Sequence, residues 1–210
     1  MKDNWTTINI PDLTGKTIIV TGGNSGLGFE SVKVFTEKGA HVVLSCRSVD
    51  KGEKAKTEIL LKHPEGKIEV AELDLADLES VRKFAESFQQ KYSRLDVLLN
   101  NAGIMTTPYF TTKDGFEGQM GTNHLGHFTL TGLVLPLLKN TLKSRVVNVS
   151  SMAHKQGKMD FNNLLFEKGK GHCHQLNFIN TSYSIGCIFD IKGTCVPLLL
   201  PETPSYLFFF

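Results

Sequence analysis

From Lys16 onward, short β-branched runs alternate with longer amphipathic stretches, and this alternation restricts the fold more than any other feature of the chain. Lys16–Thr21, His41–Ser45, Lys67–Leu73, Leu95–Asn100 and Arg145–Ser150 read as strands. Ser25–Lys38, Val49–His63, about Leu78–Lys91 and roughly Asp114–Leu142 read as helices. Gly39 stops the first helix, and Pro64 with Gly66 ends the second. Strands separated by helices of this length cannot pair as hairpins, so they must lie parallel, joined by right-handed crossovers and covered on both faces. The expected class is α/β: a doubly wound parallel sheet of five strands in the order 3-2-1-4-5.

The chain has 210 residues, enough for one domain with a sizeable core. With 40% hydrophobic residues, 21% charged residues and a net charge of +2, it is neither a disordered tail nor a strongly basic nucleic-acid binder. Its charge is unevenly spread. After position 170 only Asp190, Lys192 and Glu202 are charged, whereas Cys173, Cys187 and Cys195 all fall there. The expected division is therefore 1–168 as the folded unit and 169–210 as an aberrant tail rather than a second domain. The N-terminus carries no apolar segment followed by a cleavage site, which points to a cytoplasmic location. Residues 171–189 lack Asp, Glu, Lys and Arg but contain too many His, Asn and Gln residues for a membrane span. The cysteines read as free thiols. His172-Cys-His174 with Cys187 and Cys195 matches no common zinc spacing, so no metal is expected.

The first strand runs into Thr21-Gly-Gly-Asn-Ser-Gly-Leu-Gly28, which puts Gly22, Asn24, Ser25, Gly26, Leu27 and Gly28 between a strand and a helix. A pyrophosphate needs such a turn. Small residues let the backbone approach, and the N–H groups of a helix N-terminus meet the anion. A glycine-rich turn alone is a weak signal, but here a strand precedes it and a helix follows.

Nineteen residues beyond Gly28, at the end of the second strand, stands Ser45-Cys-Arg-Ser48. An acidic side chain there would hold the ribose 2′-hydroxyl of NAD(H). Arg47 can instead pair with a 2′-phosphate, so NADP(H) is preferred over NAD(H). The competing reading of Arg47 is a solvated surface charge.

Together, Thr21–Gly28, Asp74-Leu75, Asn100-Asn-Ala-Gly103, Asn123-His-Leu-Gly126 and Asn148-Val-Ser-Ser151 resemble the short-chain dehydrogenase/reductase family. Cys46-Arg47 and Asn123-His-Leu-Gly-His-Phe128 are most similar to its retinol-dehydrogenase-like branch, and the likeness covers about residues 5–168. The resemblance implies a Rossmann-like fold, a nicotinamide cofactor and oxidation of an alcohol or reduction of a small carbonyl substrate. It implies that Asp74 with Leu75 flanks the adenine and that Asn101, Ala102 and Gly103 back the cofactor. It also implies that the Asn123 backbone holds a water of a proton relay and that Ser151 hydrogen-bonds the substrate oxygen. Taken singly, Asp74 also reads as a helix N-cap, Asn123 as a polar residue satisfied within its helix, and Ser151 as part of a capped turn.

Hydride transfer to a carbonyl leaves charge on oxygen, so a proton donor is needed. The resemblance implies a tyrosine with a lysine four residues later, near residues 174–178. That stretch is His174-Gln-Leu-Asn-Phe178. Tyr183 is followed at position 187 by Cys, and its next lysine is Lys192. The Tyr-x-x-x-Lys pair is therefore expected to be missing, and catalysis impaired. The likeness fails near Gly169–Gly171, which reads as a shifted reading frame or an alternative exon. The alternatives are a non-catalytic cofactor-binding or interaction module, or a non-functional product. The helix over 114–142 carries a wide apolar surface, from Leu125 and Phe128 to Leu137 and Leu138, suited to self-association.

Overall fold

A computed structural model of the chain describes residues 6–150, Asn163 and the strands 187–190 and 195–197. In chain order the elements are β1 (Thr17–Thr21), α1 (Gly26–Glu37), β2 (His41–Cys46), α2 (Val49–Lys62), β3 (Lys67–Glu72), α3 (Leu78–Lys91) and β4 (Val97–Asn100). A π-helical turn (Met120–Leu125) then leads into α4 (Gly126–Asn140), followed by β5 (Arg145–Asn148), β6 (Cys187–Asp190) and β7 (Cys195–Pro197).

The sheet order is β3-β2-β1-β4-β5-β6-β7. Its first five strands are parallel and follow the expected 3-2-1-4-5 order. The sequence pattern gives no strand after residue 150, yet β6 and β7 extend the sheet, β6 antiparallel to β5 and β7 antiparallel to β6. Such short segments show no periodicity of their own. Edge pairing, which is a tertiary property, makes them strands.

Side chains of the central strands alternate between two cores. Ile18 and Val20 of β1 pack with Val32, Phe35, Val42, Leu44, Ile59 and Leu99 on the α1–α2 side. Ile19 faces the other way and packs with Val43, Phe84, Phe88, Leu98, Leu130, Val134 and Leu138 on the α3–α4 side. Both faces are dry, which is why β1 carries three consecutive apolar residues, Ile18, Ile19 and Val20, rather than an alternation.

At the N-terminal ends of the strands, Asp96 ties three segments together. Its carboxylate accepts from the Thr17 N–H at 3.0 Å and pairs with Arg94 at 2.7 Å and Lys16 at 3.1 Å. Burial alone would raise this carboxyl, but Arg94, the Thr17 N–H and Lys16 outweigh it and hold the group below the usual carboxylate range.

The last expected helix starts later than the sequence suggests, at residue 118 rather than 114. Residues 110–118 instead form a tight reversal around Gly115 (φ 84°), with the Thr112 N–H donating to the Phe116 carbonyl at 2.7 Å. Glu117 then starts the helix, its carboxylate accepting from the N–H groups of Gln119 and Met120 at 3.0 and 2.8 Å. Asp114 serves another element, accepting from the Leu78 N–H at the start of α3 at 2.9 Å.

Candidate active site

The strand ends that converge are those of β1, β4 and β5, where Thr21, Asn100 and Asn148 finish their strands side by side. This is the edge at which open parallel sheets bind ligands. The turn after β1 is built for close backbone approach. Gly22 has φ 65°, and a Cβ there would lie 3.0 Å from the Ala102 Cα. A Cβ on Gly28 would lie 2.3 Å from the Gly22 carbonyl oxygen and 2.5 Å from Asn101 Nδ2. Ser25 caps α1 by backbone position only, with no side-chain hydrogen bond to the helix N–H groups, and both Ser25 and Gly26 are exposed. Asn24 and Leu27 are half-buried in the same turn.

The turn after β4 is bound to β1. Asn101 Nδ2 donates to the Thr21 carbonyl at 2.9 Å, and the N–H groups of Asn101 and Ala102 both donate to Thr21 Oγ1 at 2.9 Å. Asn100 points into the sheet edge, its Nδ2 donating to Asn148 Oδ1 at 2.8 Å and to Thr131 Oγ1 at 3.1 Å. Asn100 Oδ1 is buried, with no hydrogen-bond partner among the described residues.

Gly103 is exposed and faces the Asn123 amide, a Cβ there lying 3.6 Å from Oδ1. Asn123 sits in the π-helical turn and holds Ile104 by both ends of its amide, accepting from the Ile104 N–H at 2.9 Å and donating to its carbonyl at 2.8 Å. Its own carbonyl accepts from His127 Nδ1 at 2.8 Å. The reading of Asn123 as a polar residue satisfied within its own helix therefore fails, since its side chain serves a neighbouring segment. Gly126 lets the helix press on the loop after β3, since a Cβ there would lie 2.4 Å from the Leu75 carbonyl oxygen.

Asp74 is half-buried and does not cap α3. Its Oδ1 accepts from the Ala76 N–H at 2.9 Å, while Asp77 is the cap, accepting from the N–H groups of Glu79 and Ser80. Arg47 is exposed beyond the end of β2, with no ion pair among the described residues. Ser151 and Tyr183 lie outside the described residues, as do His172, Cys173 and His174.

The Tyr-x-x-x-Lys spacing is not wholly missing from the chain. Against the expectation that no tyrosine of the chain has a lysine four residues later, it occurs at Tyr109-Phe-Thr-Thr-Lys113, in the segment before the last expected helix. Tertiary structure disqualifies it. The segment is a loop rather than a helix, and Lys113 pairs with Asp77 at 2.8 Å and Glu79 at 3.6 Å.

Sequence reasoning missed His127 as part of this site. The ring is buried, its Nε2 lies 2.9 Å from Thr21 Oγ1, and burial lowers its pKa to about 4. The signal was a histidine four residues after Asn123, on the same helix face. A groove of about 510 Å³ between β3 and α3 includes Glu69, Phe84 and Tyr92, and none of the expected cofactor residues lines it. Among the described residues no helix is long and apolar enough to cross a membrane.

The short chain dehydrogenase family profile matches residues 16–163. Human retinol dehydrogenase 11 is 48% identical over 166 residues, covering 77% of this chain and 52% of that protein. Human retinol dehydrogenase 12 is 45% identical over 188 residues, covering 88% of this chain and 59% of that protein. The chain thus spans little more than half the length of these curated relatives. Among solved structures, a protein of Mycobacterium paratuberculosis superimposes with a TM-score of 0.71 at 40% identity, covering 84% of this chain and 61% of that one. A short chain dehydrogenase of Escherichia coli CFT073 complexed with NADPH does so with a TM-score of 0.60 at 26% identity, covering 76% and 68%.

Proposed function

This chain belongs to the short-chain dehydrogenase/reductase family, in the branch of the retinol dehydrogenases, and from that premise we propose that it binds NADP(H) in preference to NAD(H) at the turn after β1. The observation that carries the reading is the cradle at Gly22 and Gly28. Both positions are closed to a Cβ by the Asn101–Ala102 turn or by Gly22 itself, so backbone alone lines the place where a pyrophosphate would lie. Arg47 supplies the preference. It is the charged side chain at the end of β2, and no carboxylate stands in Ser45–Ser48 to repel a 2′-phosphate. The Escherichia coli neighbour solved with NADPH is consistent with that choice.

The reaction we propose is oxidation of an alcohol or reduction of a small carbonyl compound, with the bound nicotinamide supplying or accepting the hydride. Asn123, which braces the loop at Ile104, and Ser151, assigned by its motif, are the residues retained for it. Turnover is expected to be slow. Tyr183 lacks a lysine four residues later and Lys113 is held by Asp77, and a positioned acid or base contributes about 10² to 10⁴-fold. The same observation favours a second reading, a cofactor-binding module without turnover. The apolar face of α4, where Phe128 is exposed, would serve self-association in either case.

Fluorescence titration of the full chain with NADPH and NADH tests the binding reading. NADPH should bind at least tenfold more tightly, and Arg47→Glu should reverse the order. Equal affinities, or no binding, would sink it. NADPH consumption with a panel of aldehydes and ketones, abolished by Ser151→Ala, would support the enzyme. Binding without consumption would select the module.

A further inference from the structure

The ring of His127 joins two parts of the site that no backbone hydrogen bond connects. Thr21 is fully buried and His127 is 7% exposed, so water does not compete for either. Nδ1 lies 2.8 Å from the Asn123 carbonyl oxygen, which can only accept, so Nδ1 carries the hydrogen. A neutral imidazole has one N–H, so Nε2 is an acceptor, and the Thr21 hydroxyl at 2.9 Å must donate to it. The other acceptor near that hydroxyl, the Leu99 carbonyl, is farther away at 3.4 Å. With its hydrogen directed at the ring, Thr21 Oγ1 keeps its lone pairs for the N–H groups of Asn101 and Ala102, each at 2.9 Å. Every proton in the chain of bonds then has one direction, and each buried polar atom named in it has a partner.

We propose that His127 is a positioning residue of the cofactor site: through its two ring nitrogens it locks the Asn123 carbonyl of the π-helical turn to the Thr21 hydroxyl that holds the Asn101–Ala102 turn. The inference rests on the cofactor reading given above. A phenylalanine would fill the same volume but could neither donate to Asn123 nor accept from Thr21. The Thr21 hydrogen would then be free to turn, and the two N–H groups it now meets would lose a fixed acceptor.

The test is a double-mutant cycle on NADPH affinity in the full chain, with His127→Phe, Thr21→Val and the double variant. Each single substitution should weaken NADPH binding about tenfold, and the double variant should be no weaker than the poorer single one. Thr21→Ser keeps the hydroxyl and should stay within about twofold of the parent. Unchanged affinity in His127→Phe, or losses that simply add, would overturn the proposal. Nitrogen-15 correlation spectra of the unaltered chain need no variant to fold. They should show a protonated Nδ1 and a bare Nε2, and the opposite tautomer would also overturn it. If the unaltered chain binds neither NADPH nor NADH, the cofactor reading fails first and takes this role of His127 with it. If it binds normally and His127→Phe does too, only the His127 proposal fails.

Discussion

Gly28 and Gly22 touch through their backbones: the position of a Cβ on Gly28 lies 2.3 Å from the Gly22 carbonyl oxygen, and that of Asn101 Nδ2 only 2.5 Å away. Neither neighbour is the free end of a flexible side chain, because Asn101 Nδ2 is bonded to the Thr21 carbonyl. Gly28→Ala should therefore push α1 away from the turn after β1. We expect a loss of about 1–3 kcal/mol in stability and at least tenfold in NADPH affinity, read by thermal melting and cofactor fluorescence. Wild-type affinity in this variant would mean that the turn is not the pyrophosphate site.

Removing the Asp96 carboxylate should destabilise the fold without touching the cofactor. Asp96→Ala leaves the Thr17 N–H without its side-chain acceptor and frees Arg94 and Lys16, both of which reach solvent. A loss of about 2 kcal/mol is expected in denaturant melts. Since Asp96 lies at the opposite strand ends from Gly22, NADPH affinity measured well below the melting temperature should not change.

Acidification should weaken the fold through His127 before the carboxylates titrate. The folded state holds this ring neutral down to about pH 4, whereas the unfolded chain protonates it near the ordinary histidine value of 6.5. Between those values the unfolded state binds more protons, so stability is complete above about pH 6.5 and falls as the pH drops towards 4. The full span corresponds to roughly 3 kcal/mol. Urea melts at a series of pH values, compared with His127→Phe, should show the slope diminished in the variant.

Asn123→Asp should be a pH-dependent defect. The aspartate would keep an acceptor for the Ile104 N–H but would turn a second, charged oxygen towards the Ile104 carbonyl, which now receives the amide hydrogen at 2.8 Å. At neutral pH we expect about 1–3 kcal/mol of destabilisation and faster amide exchange at Ile104. Acid should partly restore it, because a protonated carboxyl can donate again. An exchange rate equal to that of the parent at neutral pH would show that this clamp does not hold the loop.

The glycine turn was legible from sequence because its requirement is local: a strand, small residues and a helix start within a dozen positions. Arg47 was legible only as a charge at a fixed distance from that turn, and the structure leaves it exposed beyond the end of β2. The later start of the last helix was not, because Asp114 is engaged by α3, thirty-six residues earlier in the chain, and Glu117 takes over the cap. Tyr109 and Lys113 show the reverse case. Their spacing satisfies a helical motif, but four residues in a loop do not share a face, and Asp77 draws the lysine away.

Local pattern was thus enough to place the strands and helices up to β5, apart from the start of the last helix, and hence the doubly wound order and the edge where a nucleotide would lie. Periodicity and glycine placement act over one or two turns of chain, and crossover handedness leaves few topologies open. Which polar groups meet at that edge was set by packing. Thr21, Asn101, Asn123 and His127 are spread over more than a hundred positions, and buried atoms must find partners wherever the packing brings them. It likewise decided that β6 and β7 join the sheet, since an edge strand is made by the open hydrogen bonds of its neighbour rather than by any pattern of its own.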